Sequence, residues 1–170
     1  MKKLIGCIAA LACSNVAFAA ECTIAEETKA LDPVEVGFCQ SDAVFIGKVS
    51  KRFETIRAYT EEGSERTKHY SIELSTVDVA KSFKGATSAD KLTMTTNLYD
   101  KKTGAYSFKM QQEYLIFAKR VQGKDEWEGA SANCSVQPSL PLAEAKAAIE
   151  QLELHRTGKK KIDCSNIRKK

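Results

Sequence analysis

The sequence predicts an α+β domain, mainly β: a five- or six-stranded Greek-key barrel with a C-terminal helix packed on it. Three observations predict it. Apolar and β-branched residues recur with period two in several short runs. One of those runs changes phase by a single residue midway, as a bent barrel strand does. One stretch alone, near the end of the chain, has the three- and four-residue spacing of an amphipathic helix. Short strands followed by a terminal helix are the order of an α+β domain.

Residues 1–19 read as an export signal. Lys2 and Lys3 precede a short apolar run, Leu4 to Ala12, and Ala17-Phe18-Ala19 supplies the small residues a signal peptidase accepts. That run is too short to span a bilayer. Lysine-rich, compact signals of this kind suit a bacterium, so the expected destination is the periplasm or the exterior. The rival site, a lipoprotein cleavage before Cys13, has its leucine one place too close to the cysteine. Residues 22–40 then form a polar, strand-poor leader containing Pro33. Ala43 to Val49 is an apolar, β-branched strand, and residues 54–68, charged and polar around Gly63, are expected to form a long exposed loop.

Alternation resumes at Tyr70, Ile72 and Leu74 and changes phase to Val77, Val79 and Phe83, which predicts a bulge between them. Leu92, Met94, Thr96 and Leu98 alternate next. A turn at Lys101-Lys102-Thr103-Gly104 leads to Tyr106, Phe108 and Met110, a further alternating run. Tyr114 to Ala118 is continuously apolar, as a strand covered on both faces is. Residues 126–133, with Trp127, make a short last strand. After Pro141, Leu142, Ala145, Ala148, Ile149 and Leu152 share one helical face, with Gly158 as the stop. That helix is expected to lie across the barrel and plug one end.

Removing the signal leaves 151 of 170 residues, enough for one domain with a core, spanning 20–164 and followed by a basic tail at 165–170. The net charge falls from +4 to +2, and residues 159–170 hold six basic side chains against one acid. Such a tail suits weak contact with an anionic surface. Cys7 and Cys13 leave with the signal; Cys22, Cys39, Cys134 and Cys164 remain. An even number in an exported chain implies two disulfides, with three connectivities open. No CxxC pair occurs, so neither a redox site nor a zinc ribbon is expected.

The sequence offers little catalytic machinery. His69 and His155 are the only histidines, and both suit surface or capping roles. No HExxH, GxSxG, phosphate loop or dinucleotide fingerprint occurs. The expectation is a protein without a cofactor, an intrinsic metal or a catalytic residue. Tyr70, Phe108, Tyr114 and Phe117 fall at core positions of strands, so they are not read as a nucleic-acid stacking platform. A binding protein is favoured over a hydrolase. The other class kept open is a non-catalytic envelope scaffold or adhesion protein that uses the barrel and the basic tail.

Three segments stand out by their order and spacing: Phe38-Cys39-Gln40-Ser41-Asp42-Ala43-Val44-Phe45-Ile46-Gly47-Lys48-Val49, then Glu113-Tyr114-Leu115-Ile116-Phe117-Ala118, then Cys134-Ser135-Val136-Gln137-Pro138-Ser139-Leu140-Pro141-Leu142, with Cys164 beyond the helix. Together they resemble the netrin-like (NTR) domain of the tissue inhibitors of metalloproteinases. The resemblance covers about residues 20–164. It implies an OB-fold-like barrel, disulfides Cys39–Cys164 and Cys22–Cys134, and a protein partner, with a zinc metalloprotease as the specific target.

In that family the free amino terminus inhibits: the terminal amine and carbonyl bind the protease zinc in place of the catalytic water. Carried over here, the wedge is Ala20, Glu21 and Cys22, and cleavage after Ala19 makes Ala20 the residue whose amine could ligate a target's zinc. An α-amino group titrates near ~8, so its neutral form is accessible at neutral pH. Two departures mark this chain. Ala20 replaces the family's first cysteine and Ala105 stands where its bridging partner is expected, which leaves the wedge held through Cys22 alone. Glu21 stands where the family offers a small residue, and burying an unpaired carboxylate in an apolar pocket is costly. The 54–68 segment is expected to add a second contact ridge.

Overall fold

The computed structural model describes residues 32–60, 65–97, 107–129, 139–165 and 167. In chain order they form α1 (Pro33–Gln40), β1 (Ala43–Thr60), β2 (Thr67–Lys84), β3 (Lys91–Asn97), β4 (Glu113–Arg120), β5 (Trp127–Gly129), β6 (Ser139–Pro141) and α2 (Lys146–Arg156). The export signal, Cys13, Ala20, Glu21, Cys22, Ala105, Cys134 and the turn at 101–104 lie outside the described residues.

The sheet runs β1-β2-β3-β5-β4-β6, and β4 returns to pair with β1, so the first five strands close a ring. All its pairings are antiparallel except β3–β5, a parallel contact of two residue pairs, Met94↔Trp127 and Thr95↔Glu128. This is the strand order of an OB-like Greek-key barrel. β6 docks on the β4 edge beside β5.

Two cores follow from the period-two alternation of β1 and β4. Ala43, Phe45, Ile116 and Ala118 point into the ring, where they meet Val77, Val79, Met94 and Phe108. Val44, Ile46, Leu115 and Phe117 point outward and are covered by both helices, through Val36 and Cys39 of α1 and Ala148 and Leu152 of α2. These two strands are buried on both faces, which explains the continuous apolar runs at 43–46 and 114–118. Gly47 is forced by this packing: a Cβ there would stand 2.4 Å from Val77 Cγ1. Gly85, at φ +68°, lets the chain turn against Asp42, whose carbonyl oxygen would lie 1.9 Å from an added Cβ.

The outer layer is tied at several points. Asp32 N-caps α1, its carboxylate accepting from Val34 N at 2.8 Å, while its other oxygen accepts from Gln151 Nε2 of α2 at 2.8 Å. Lys84 donates to the Phe38 and Ser41 carbonyls at the end of α1, at 2.8 and 2.6 Å. Lys160 pairs with Glu35 at 2.8 Å. A disulfide joins Cys39 to Cys164 across 125 residues, with Cα atoms 5.4 Å apart; it is one of the two bridges the resemblance implies. On a chain-entropy account, closing a loop of this length stabilises by about 4–5 kcal/mol.

Several expectations are corrected. Residues 54–60 and 67–68 are not loop but strand, the far ends of β1 and β2, paired from Glu54↔Glu73 to Thr60↔Thr67. Within the strand-poor leader, residues 33–40 are helical: Asp32 and Pro33 form its start, and its buried side is Val36, Phe38 and Cys39. The bulge expected in β2 between Leu74 and Val77 belongs to β1, while the extra residues of β2 itself are Ala80 and Phe83, further along the strand. Pairing of β2 with β3 is unbroken from Ile72 to Asp78, whereas Ser50 is the extra residue between Val49↔Val77 and Lys51↔Thr76. The apparent phase change in β2 arises because the inward positions 73 and 75 hold buried polar residues, Glu73 and Ser75. The run at 106–110 is not a strand in its described part: Phe108 is buried but Met110 sits in a turn. The strand expected at 126–133 is described over Trp127–Gly129. Pro141 ends β6 instead of starting a helix, so α2 begins at Lys146. That helix covers the outer face of β1 and β4 and does not plug a barrel end.

Candidate functional site

Ring closure leaves part of β1 and β2 outside the barrel. β4 pairs with β1 only from Ala43 to Lys48, and Gln111 and Gln112 add backbone bonds to Val49. β3 pairs with β2 only from Ile72 to Asp78. Beyond those limits β1 runs from 51 to 60 with β2 as its one ladder partner among the described residues; from Ile56↔Ser71 to Thr60↔Thr67 β2 in turn has no other, and the two form a two-stranded ribbon. Both faces of β1 meet solvent over this length: Phe53, where the sheet is still three strands wide, is 55 % and Ile56 67 % exposed, on opposite faces.

A free two-stranded ribbon is marginal by itself; here it is braced on each face at its base. On the inner face, Glu73 is fully buried and its carboxylate accepts four hydrogen bonds. Oε2 accepts from Arg52 Nε at 2.7 Å and Ser107 Oγ at 2.8 Å; Oε1 accepts from Ser75 Oγ at 3.1 Å and the Phe108 amide at 3.2 Å. Directly opposite Glu73 in the ladder stands Glu54, and Arg52 also reaches it, at 3.7 Å. The guanidinium fork therefore separates two carboxylates that would otherwise repel. This cluster joins β1, β2 and the 107–108 segment. With no exposure at Glu73 it offers nothing to a substrate, and its role is structural.

On the outer face, Arg57 is hydrogen-bonded to Glu126 of the β4–β5 turn, and Thr95 of β3 donates to the same carboxylate at 2.8 Å. Both members of the pair are mostly buried, Arg57 at 22 % and Glu126 at 18 % exposure. The Arg57 hydrogen bond, reinforced by Thr95, holds the Glu126 carboxyl below the ordinary glutamate value, and Glu126 in turn raises the Arg57 guanidinium. Arg120 lies over the Trp127 ring at 5.8 Å beside this turn. The ribbon is thus fixed to β3 and to the β4–β5 turn before any partner arrives. An open hollow of about 370 Å³, lined by Ile56, His69, Tyr70 and Ser71, lies along it.

The sequence-predicted site residues divide sharply. Ala20, Glu21, Cys22 and Cys134 lie outside the described residues, so the wedge has no geometry to report. Cys39 and Cys164 are joined. His69 is exposed on the ribbon. His155 packs edge-on against Phe38, with ring centroids 4.8 Å apart, and its Nδ1 lies 3.2 Å from the Lys160 carbonyl and 3.3 Å from the Ile162 amide. One tautomer donates to the first and the other accepts from the second, so His155 fastens the chain leaving α2 in either form. Phe108, Tyr114 and Phe117 are buried, while Tyr70 is half-buried on the ribbon.

Sequence reasoning missed Glu73, Arg52, Arg57, Thr95 and Glu126. Their signals were weak: a glutamate at an inward strand position, Arg57 in a stretch expected to be loop, and Arg52 between that stretch and the first predicted strand. Among the described residues no group of three or more His, Cys, Asp or Glu is placed to hold a metal ion, and no helix is long and apolar enough to cross a membrane. No protein-family model matches the chain, and no curated protein matches its sequence.

Proposed function

We propose that this protein is an exported, non-catalytic binding module whose β1–β2 ribbon is its contact surface for a protein partner. The observation that carries the proposal is a ribbon that displays Phe53 and Ile56 to solvent while Glu73 and Arg57–Glu126 brace its base. Exposed apolar side chains on a pre-ordered element are favourable for association, because little conformational entropy remains to be lost on binding. The specific activity proposed, from the resemblance, is inhibition of a zinc metalloprotease by the amine of Ala20, with Glu21 and Cys22 entering the active-site cleft and the ribbon as second contact.

A panel of zinc metalloproteases tests it, assayed with protein whose amino terminus is verified as Ala20 and with a copy carrying one extra residue there. Inhibition by the first and not the second is the expected result. If neither inhibits, zinc ligation is discarded. Capture experiments with wild type and a Phe53→Ser/Ile56→Ser double variant then decide whether the ribbon binds a partner by another route.

A further inference from the structure

We infer that the outer edge of β1, residues 51–60, accepts an extended acidic and apolar peptide segment of a partner as an added antiparallel strand. The inference deepens the proposal above and rests on the ribbon being a contact surface. At Gln111, in the left-handed region with φ 62°, the chain turns, its amide donating to the Val49 carbonyl at 2.8 Å, and β4 starts two residues later. The row that β4 occupies beside Ala43–Lys48 therefore stops at Val49. Among the described residues nothing continues it along 51–60. A strand added there would lie in line with β4, antiparallel to β1, and pair with backbone groups of an edge already held straight by β2.

The side chains along this edge state the chemistry of its occupant. Cross-strand neighbours on one face interact directly. Exposed Lys51 calls for an acid facing it; Arg52 and Arg57, each already paired with a glutamate but partly exposed, have guanidinium donors for a second acid, and Glu54, at 63 % exposure, has room for a lysine. Apolar residues suit the places facing Phe53 and Ile56, both exposed on this part of β1. Lys51 and Lys109 are both exposed, and Lys109 belongs to the segment that turns into β4. An antiparallel occupant therefore ends in acids at this basic corner. The charges of β1 also discourage indiscriminate pairing of a long open edge, so they act as a filter as well as an attraction. In sequence the occupant reads, from its amino end, acid, apolar, β-branched, lysine, apolar, acid, acid.

The test is a fluorescence-polarisation titration of labelled Asp-Val-Thr-Lys-Val-Glu-Glu against the full chain freed of its export signal. An identical peptide N-methylated at alternate amides keeps the side chains but cannot form the ladder. Expected are saturable binding of the first peptide, loss of binding with the N-methylated one, and about fivefold weaker binding to a Lys51→Glu/Lys109→Glu variant. Both lysines are exposed, so the variant keeps its fold. In the wild type, amides within 51–60 gain protection from hydrogen exchange when the peptide is added. Absence of binding, equal binding of the N-methylated peptide, or protection confined to other strands overturns the inference. So does a protein that is already dimeric with its 51–60 amides protected, since a second copy then fills the edge. The protease panel separates the two proposals. Inhibition without peptide binding removes the edge inference alone, and peptide binding without inhibition removes the metalloprotease target alone.

Discussion

β1 is one strand with two environments. Between Ala43 and Val49 it is flanked by β2 and β4, and its side chains alternate between the barrel core and the helix layer. Past Ser50 it has β2 on one side, and Phe53, Glu54 and Ile56 stand in solvent. The same strand thus serves as a wall buried on both faces and as an edge exposed to solvent. What differs is covering, not local propensity. The first half is ordered by burial. The second is ordered by its ladder with β2 and two polar clamps, which hold it where no core does.

The largest effect that sharpens this contrast is the same substitution made on each half. Phe45→Ala removes a ring with no exposure from the barrel core and is expected to cost about 3–5 kcal/mol in urea unfolding. An equal loss from Phe53→Ala would abolish the distinction between the halves. Next is Glu73→Ala, which leaves Ser75, Ser107 and the Phe108 amide without their acceptor. It is expected to cost about 2–3 kcal/mol, less than a fully buried pair, because Arg52 is a third exposed and can turn to water. Hydrogen exchange is expected to rise in the 107–112 segment and along the ribbon together.

Smaller is the acid response of the outer clamp. The folded Glu126 carboxyl lies below the ordinary 4.5, chiefly through its hydrogen bond from Arg57. Its stabilisation is complete above the unfolded value and is lost as the pH falls from there through the lowered folded value. Glu126→Gln is expected to flatten that part of the stability–pH curve below about pH 4.5 and to cost under about 1 kcal/mol at neutral pH. Smallest is Phe53→Ala itself, expected within about 0.5 kcal/mol of wild type in stability, with its effect confined to partner binding.

How much of this was legible in the sequence follows the same division. Where residues are buried, the apolar pattern is informative: Ala43–Val49 and Tyr114–Ala118 were readable as strands from their apolar, β-branched runs and Leu92–Thr96 from alternation, and the fold class followed from them. Where neither face is buried, period two carries no signal, so Glu54 to Thr60 resembled the start of a loop. The β-branched and aromatic residues Phe53, Thr55 and Ile56 were the sole local hint of a strand there. Glu73 was illegible for another reason. A carboxylate normally marks an outward position, and its burial depends on Arg52 and on Ser107 and Phe108, which lie 21, 34 and 35 residues away. The start of α1 was written in Asp32-Pro33, a cap followed by a first-turn proline, but an eight-residue helix has too few turns for its buried side to stand out. The bracing of the ribbon, on which the candidate site depends, is entirely a product of long-range contacts.

The Cys39–Cys164 bridge also sets a schedule for biosynthesis. The first cysteine is made 125 residues before its partner, a wait of roughly 6–25 s at about 5–20 residues per second of synthesis. Throughout that interval Cys39 is without its mate, while Cys22 has already been made and Cys134 arrives before Cys164. In an oxidising compartment a bond made first-come between neighbours would join the wrong pair, and the correct one then has to be recovered by thiol–disulfide exchange. A chain oxidised in order of emergence is therefore expected to need an isomerase to reach this pairing, which refolding of the reduced protein with and without one would show.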